Sequence, residues 1–207
     1  LTLSGDQPLL LSGANTYEGI TYINKDVTLA SNTALGTSAN GTWLNQDVEL
    51  VFQPGASTID EEFFVKGSAA TFTVSNTATD LLQNINVEPY VPGEAMSVYY
   101  RTIYSGDSGA NLNINGNILA EVPTDHVFDT YGDAGHGEGS EIRVNGVIED
   151  LNTADTQITT VRKEGLGRLV LANDNLYTGN TTVIKGSLSA TLQSANGSAT
   201  GTGTVFI

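Results

Sequence analysis

The sequence predicts an all-β chain wound as a parallel solenoid, and three observations carry that prediction. The first is an internal repeat. Residues 9–25 read LLLSGANTYEGITYINK and residues 169–185 read LVLANDNLYTGNTTVIK. The two share Leu9/Leu169, Leu11/Leu171, Asn15/Asn175, Tyr17/Tyr177, Gly19/Gly179, Thr21/Thr181 and Lys25/Lys185, seven identities in seventeen ungapped positions. That exceeds what shared Thr/Gly/Asn bias supplies. The second is a shorter repeat, in which Asn113-Ile-Asn-Gly-Asn-Ile118 matches Arg143-Val-Asn-Gly-Val-Ile148. The third is the hydrophobic pattern. Apolar residues alternate with polar ones or sit in short β-branched and Leu bursts, the period-2 signal of strands, and no long helical periodicity occurs.

Along the chain the strand segments are DVTLA (26–30), DVELVF (47–52), ATFTVS (70–75), NLNING (111–116), SEIRVNG (140–146), GRLVLA (167–172) and NTTVIKG (180–186). Turns rich in Gly, Asn and Asp separate them. Asn at recurrent turn positions can stack in ladders between coils, and Gly or Asn tolerates the left-handed backbone of a tight corner. Gly/Ser/Asp-rich insertions are expected at 104–110 and 129–140. The middle, 50–110, matches no repeat, and Pro89 and Pro92 suggest a hairpin or an irregular insertion there. The alternative to the solenoid is an antiparallel β-sandwich, in which Asn115-Gly116 and Asn145-Gly146 would form I′ hairpin turns. The solenoid explains more, because it requires self-similar segments that bury their apolar faces on one another. Residues 1–207 are therefore read as one domain, with repeat-like segments at 1–30 and 161–207. At about 20–25 residues per coil, eight to ten coils are expected. Stacked at about 4.8 Å, they make a rod about 40–50 Å long.

Composition narrows the function. Twenty-three acidic residues against eight basic ones give a net charge of −15. Such a surface cannot neutralise a phosphate backbone, so nucleic acid and anionic lipid are disfavoured partners. With no cysteine, disulfides, thiolate metal sites and Cys nucleophiles are excluded. No run approaches the roughly 18 apolar residues that span a bilayer, so no membrane insertion is expected of this segment. The first residue is Leu1 and no signal pattern follows, which suggests a processed product or an excised segment.

Residues Lys163 to Leu188 resemble the passenger-associated transport repeat of bacterial autotransporter proteins, whose pattern runs K-x-G-x-G-x-L-x-L-x-x-x-N-x-Y-T-G-x-T-x-V-x-x-G-x-L. Lys163, Gly165, Gly167, Leu169, Leu171, Asn175, Tyr177, Thr178, Gly179, Thr181, Val183, Gly186 and Leu188 fall in place. The N-terminal copy keeps Leu9, Leu11, Asn15, Tyr17, Gly19 and Thr21. It has Asp26 where Gly is expected, and lacks the Lys-x-Gly-x-Gly lead-in. The resemblance implies a right-handed parallel β-helix, bacterial export and surface display. Physically, Leu169 and Leu171 should point inward from one strand and Val183 from another, with Asn175 and Tyr177 at the corner between them. Gly179 should relieve the turn, and the Tyr177 ring should cover the coil edge with its hydroxyl wet.

Several clusters could carry chemistry. Asp129, Asp133, Glu138 and Glu141 lie on a Gly-rich stretch whose oxygens suit calcium, although the spacing is not that of an EF-hand. The plainer reading of this stretch is a solvated acidic loop, so no cofactor is expected unless calcium occupies it. His126 and His136 could join Zn²⁺ with a carboxylate, but lack a ligand spacing. Asp60-Glu61-Glu62 reads as a turn entering a strand, with at most two carboxylates on one face. Gly106-Asp107-Ser108-Gly109 echoes a serine-protease nucleophile, yet both histidines follow it in the chain. A glycan lyase would need a basic residue beside bound calcium, and Arg101, Arg143, Arg162 and Arg168 are the arginines available. The expected function is a non-catalytic structural or adhesive scaffold, secreted or displayed on a bacterial cell surface. Its partners would be a host or neighbouring-cell surface, matrix or glycan. The alternatives are an end-to-end polymerising fibre subunit and a glycan-active lyase or hydrolase.

Overall fold

The computed structural model describes residues 1–45, 47–75, 77–88, 100–106, 109–130, 139–151 and 158–207. Among these residues there is no helix, and the chain forms twenty-two strands, numbered in chain order. A seven-stranded sheet contains β1 (Thr2–Leu3), β3 (Thr21–Ile23), β5 (Thr42–Leu44), β8 (Phe63–Val65), β11 (Ile85–Val87), β14 (Ile118–Ala120) and β17 (Ile148–Asp150). A nine-stranded sheet contains β2 (Leu9–Leu11), β4 (Val27–Leu29), β6 (Val48–Phe52), β9 (Ala69–Val74), β12 (Tyr100–Gly106), β15 (Thr124–Thr130), β18 (Thr160–Glu164), β20 (Thr181–Val183) and β22 (Val205–Phe206). A six-stranded sheet contains β7 (Thr58–Ile59), β10 (Ala78–Leu81), β13 (Asn111–Ile114), β16 (Glu141–Val144), β19 (Arg168–Leu171) and β21 (Ser187–Ala190).

Every strand pairs in parallel with the strand one coil away, as in Thr42↔Phe63, Phe63↔Ile85 and Ile85↔Ile118. Strands β5–β7, β8–β10, β11–β13, β14–β16 and β17–β19 each complete one three-sided turn, so the chain is a right-handed parallel β-helix. The nine strands of the longest sheet agree with the expected coil number. The sandwich alternative is excluded by the parallel ladders. Asn115-Gly116 and Asn145-Gly146 are not hairpin turns. They stack at the same corner of successive coils, where Asn145 Nδ2 donates to Asn115 Oδ1 at 2.8 Å. A Cβ on Gly146 would fall 2.0 Å from the Gly116 carbonyl oxygen, so close approach of the coils requires glycine there.

Strand alternation puts one side chain in two inside the helix. Ile23, Leu44, Phe63, Val65, Ile85 and Val87 line the seven-stranded wall, all within 1% of full burial. On the nine-stranded wall a single inward column runs Leu50↔Phe72↔Tyr104↔Phe128↔Lys163. Its rings stack face to face, Phe72 on Tyr104 at 5.6 Å and Tyr104 on Phe128 at 4.8 Å, with interplanar angles of 17° and 15°. Such contacts add to simple area burial. Residues 104–106, expected in an insertion, are instead the end of β12, and 129–130 are the end of β15. The middle of the chain continues the same coil on both sides of 89–99. Pro89 and Pro92 lie outside the described residues.

The two long repeats occupy different sides of the prism. In the first, β2 belongs to the nine-stranded sheet and β3 to the seven-stranded one; in the second, β19 belongs to the six-stranded sheet and β20 to the nine-stranded one. In both, the Asn-x-Tyr stretch takes the place of a strand on the remaining side. Hence the six-stranded sheet begins only at β7, and the seven-stranded sheet ends at β17.

Candidate functional site

Each repeat builds the same corner from the same bonds. Asn15 Nδ2 donates to the Ala34 carbonyl at 2.7 Å, and Asn175 Nδ2 to that of Ala199 at 2.6 Å. The Thr37 amide donates to the Tyr17 carbonyl at 3.0 Å, and the Thr202 amide to that of Tyr177 at 3.1 Å. Thr21 and Thr181 hydroxyls bond the Tyr17 and Tyr177 hydroxyls at 3.3 and 2.5 Å. Gly36 (φ +91°) and Gly201 (φ +68°) lie against these tyrosines, and a Cβ on either would meet the ring at 2.7 and 2.8 Å. Only glycine satisfies both the left-handed backbone and the close approach.

The copies differ in enclosure. Tyr177 is fully buried, whereas Tyr17 is half-buried. The Tyr177 hydroxyl is therefore not wet, as the sequence suggested, and burial pushes it up to about 12 despite the Thr181 bond. Below it, Asp150 Oδ2 accepts from both the Thr178 amide and its hydroxyl at 2.8 Å, tying the corner to β17. Gly179 has no left-handed backbone to relieve. Its role is close approach, because a Cβ would fall 2.2 Å from the Thr159 carbonyl oxygen. Leu169 and Leu171 point inward as expected, while Val183 is only half-buried.

Sequence reasoning gave Lys163 no role beyond the motif. Its side chain is fully enclosed above the aromatic column. Nζ donates to the carbonyls of Glu164, Gly165 and Lys185, the last two at 2.8 and 3.2 Å. Desolvation lowers it to about 8, against the opposing charges of Asp129 and Glu164. The corner's partner segments also went unread: Thr33-Ala-Leu-Gly-Thr37 and Ser198-Ala-Thr-Gly-Thr202 are a second echo between the chain's ends.

Of the calcium-type residues, Asp133 and Glu138 lie outside the described residues, as do His136, Asp107 and Ser108. Asp129 is paired laterally with Glu164 on the outer face of the nine-stranded sheet. Glu141 is held by Arg143 at 3.1 Å and by Arg168. Arg162 bonds Asp125 and lies 3.3 Å from Glu164. Among the described residues no three His, Asp or Glu side chains converge as a metal set. Asp60 accepts from Gln83, Glu62 from Asn86, and Glu61 turns inward to accept from Thr42 Oγ1 at 2.7 Å.

Two buried groups set opposing responses to acid. Glu61 is raised to about 7, chiefly by burial, from an ordinary 4.5. His126 is fully buried against Tyr104, neither ring nitrogen has a partner, and burial lowers it from 6.5 to about 4. Between pH 4.5 and 7 the folded state holds the Glu61 proton more tightly than the unfolded chain, so this group adds stability as pH falls. Between 4 and 6.5 the folded state refuses the His126 proton, so that group removes stability as pH falls. The two offset each other across the shared window. Denaturant titrations at pH 7.5, 5.5 and 4.5 should therefore show Glu61→Gln losing stability with acid more steeply than wild type, and His126→Leu gaining. Parallel profiles for all three proteins would refute the assignment.

The passenger-associated-transport-repeat family matches residues 1–25 and 161–190, the two segments that fold into the paired corners. No curated protein and no solved structure matches the chain.

Proposed function

From a chain that carries two passenger-associated transport repeats, we infer a stretch of a bacterial autotransporter passenger that serves on the cell surface as a structural and adhesive scaffold. The observation behind this reading is that both repeats close the same corner within the parallel β-helix that the described residues form. A parallel β-helix is a long, flat-sided support whose faces are free to carry contacts. The carboxylates named above support a scaffold rather than a reaction centre, since Asp60, Glu62, Asp125, Glu141 and Asp150 are each engaged by a neighbouring coil. The acid surplus suits a protein that stays soluble and resists nucleic acid and anionic lipid.

An antibody against the chain should label intact producing cells as strongly as permeabilised ones. Beads coated with the purified chain should adhere saturably to cell or matrix surfaces and release no cleaved product. Labelling only after permeabilisation, or turnover of a glycan by the chain, would overturn the reading.

A further inference from the structure

The outer face of the seven-stranded sheet differs from the other two faces. Each three-residue strand there turns its middle side chain outward, and register stacks these into one column. Tyr22 pairs with Trp43, Trp43 with Phe64, and Phe64 with Asn86. The first three are aromatic, half-buried, and in mutual contact, with ring centroids 5.9 and 5.5 Å apart. Just past the ends of the same strands, Asn24, Asn45 and Lys66 follow in register, each half-buried. Among the described residues, the Asn24 and Asn45 side-chain amides make no hydrogen bond within the protein. Lys66 lies over the Trp43 ring at 4.8 Å and is neutralised by Glu88. By contrast, the equivalent outward column of the nine-stranded sheet reads Thr28, Val51 and Thr73.

We propose that this stripe of Tyr22, Trp43, Phe64, Asn24, Asn45 and Lys66 binds an uncharged, extended polysaccharide lying along the coil axis. The inference rests on the adhesive reading above and names its partner. Three features select this occupant. The rings recur once per coil, with centroids 5.9 and 5.5 Å apart, and the strand spacing of about 5 Å beneath them is the order of one pyranose ring along an extended glycan. Aromatic faces take the C–H-rich face of a sugar, and adjacent uncommitted amides can both donate to and accept from its hydroxyls. Charge excludes the acidic glycans: the chain carries −15 overall, and the stripe's one cation is already matched by Glu88. A polyanion would meet no unpaired positive charge among these six residues, and a neutral chain need not break the Lys66–Glu88 pair.

Trp43 is the chain's single tryptophan, so its emission reports on this stripe alone. Titration of the full chain with soluble neutral polysaccharides (β-glucan, xylan and mannan) should shift that emission saturably with at least one of them. Polygalacturonate should not. In affinity electrophoresis through the same polysaccharide, Trp43→Leu and Asn45→Ala should weaken retardation ten-fold or more. Thr28→Ala, on the other sheet, should leave it unchanged, and circular dichroism melts would verify that every variant folds. The proposal fails if no neutral polysaccharide retards the folded chain, or if Trp43→Leu and Asn45→Ala bind as well as wild type. Bead adhesion that survives both substitutions would sink this partner while leaving the scaffold reading intact.

Discussion

Tyr177→Ala should cost about 3–5 kcal/mol of stability, the usual range for truncating a fully buried aromatic, and Tyr17→Ala less than half of that. The two residues occupy the same motif position and make the same bonds to Thr181 and Thr21, so motif membership alone predicts equal losses. Enclosure predicts otherwise. Tyr177 sits between the coil of β17, through Asp150 and Thr178, and residues 198–202; Tyr17 is half-buried against 33–37. At about 2–4 °C per kcal/mol for a chain of this size, the Tyr177 variant should melt roughly 10 °C lower. Tyr177→Phe isolates the hydroxyl: it retains the ring but leaves Thr181 Oγ1 with only its bond to the Thr200 carbonyl at 3.1 Å, a loss of about 1 kcal/mol. A β-helix can open from one end, so hydrogen exchange at Leu176 and Thr202 should accompany the melts. Equal destabilisation by the two alanine substitutions would show that the corner, and not its enclosure, sets the cost.

Among the described residues, Lys163 should be the charged residue most sensitive to substitution. Its ammonium serves the carbonyls of Glu164, Gly165 and Lys185 at the end of the Phe72–Tyr104–Phe128 column. Lys163→Met preserves most of the volume but strips the donor from all three, and should cost about 2–3 kcal/mol. Lys163→Ala adds a cavity beneath the donor loss and should cost about 3–5 kcal/mol. Lys163→Arg should not rescue, because Gly186 approaches so closely that even a Cβ there would be 2.8 Å from Nζ, leaving no room for a planar fork. The titration supplies an independent readout. Folded Lys163 releases its proton near 8 and the unfolded chain near 10.5. Between those values the folded state holds fewer protons, so wild-type stability should rise with pH across that window, and the rise should vanish in Lys163→Met. A wild type and a methionine variant of equal stability at every pH would refute the buried-donor role.

Much of this architecture was legible because its determinants are local. Alternation over 47–52 and 70–75 shows which side chains turn inward, and it held for Val48, Leu50, Phe52, Phe72 and Val74. The repeat of Asn15-x-Tyr17 at Asn175-x-Tyr177 marked a shared corner, and the structure supplies it with matching bonds. The Asn-Gly pairs were ambiguous for a physical reason. The dipeptide suits a hairpin turn as well as a coil corner, and only the neighbouring strand's direction separates them. Tyr177 was misread because a hydroxyl at a bend is normally wet. It becomes dry only when a further coil covers it. The aromatic stripe escaped notice since Tyr22, Trp43 and Phe64 lie in dissimilar segments that only register brings into line.

The sequence by itself determined that the chain is β throughout, that it turns at Asn-x-Tyr corners, and that one side chain in two faces a common interior. Those properties depend on φ/ψ preference, side-chain period and turn chemistry, which act over a few residues. Only the tertiary structure decided which side of the prism each corner occupies, which residues stack into columns, and whether a polar group ends up inside. Turning a coil by one face leaves every local interaction unchanged, so no local pattern can encode it. The lengths of the intervening segments and the packing of whole coils make that choice, and with it they place Lys163 in the core and Trp43 on the surface.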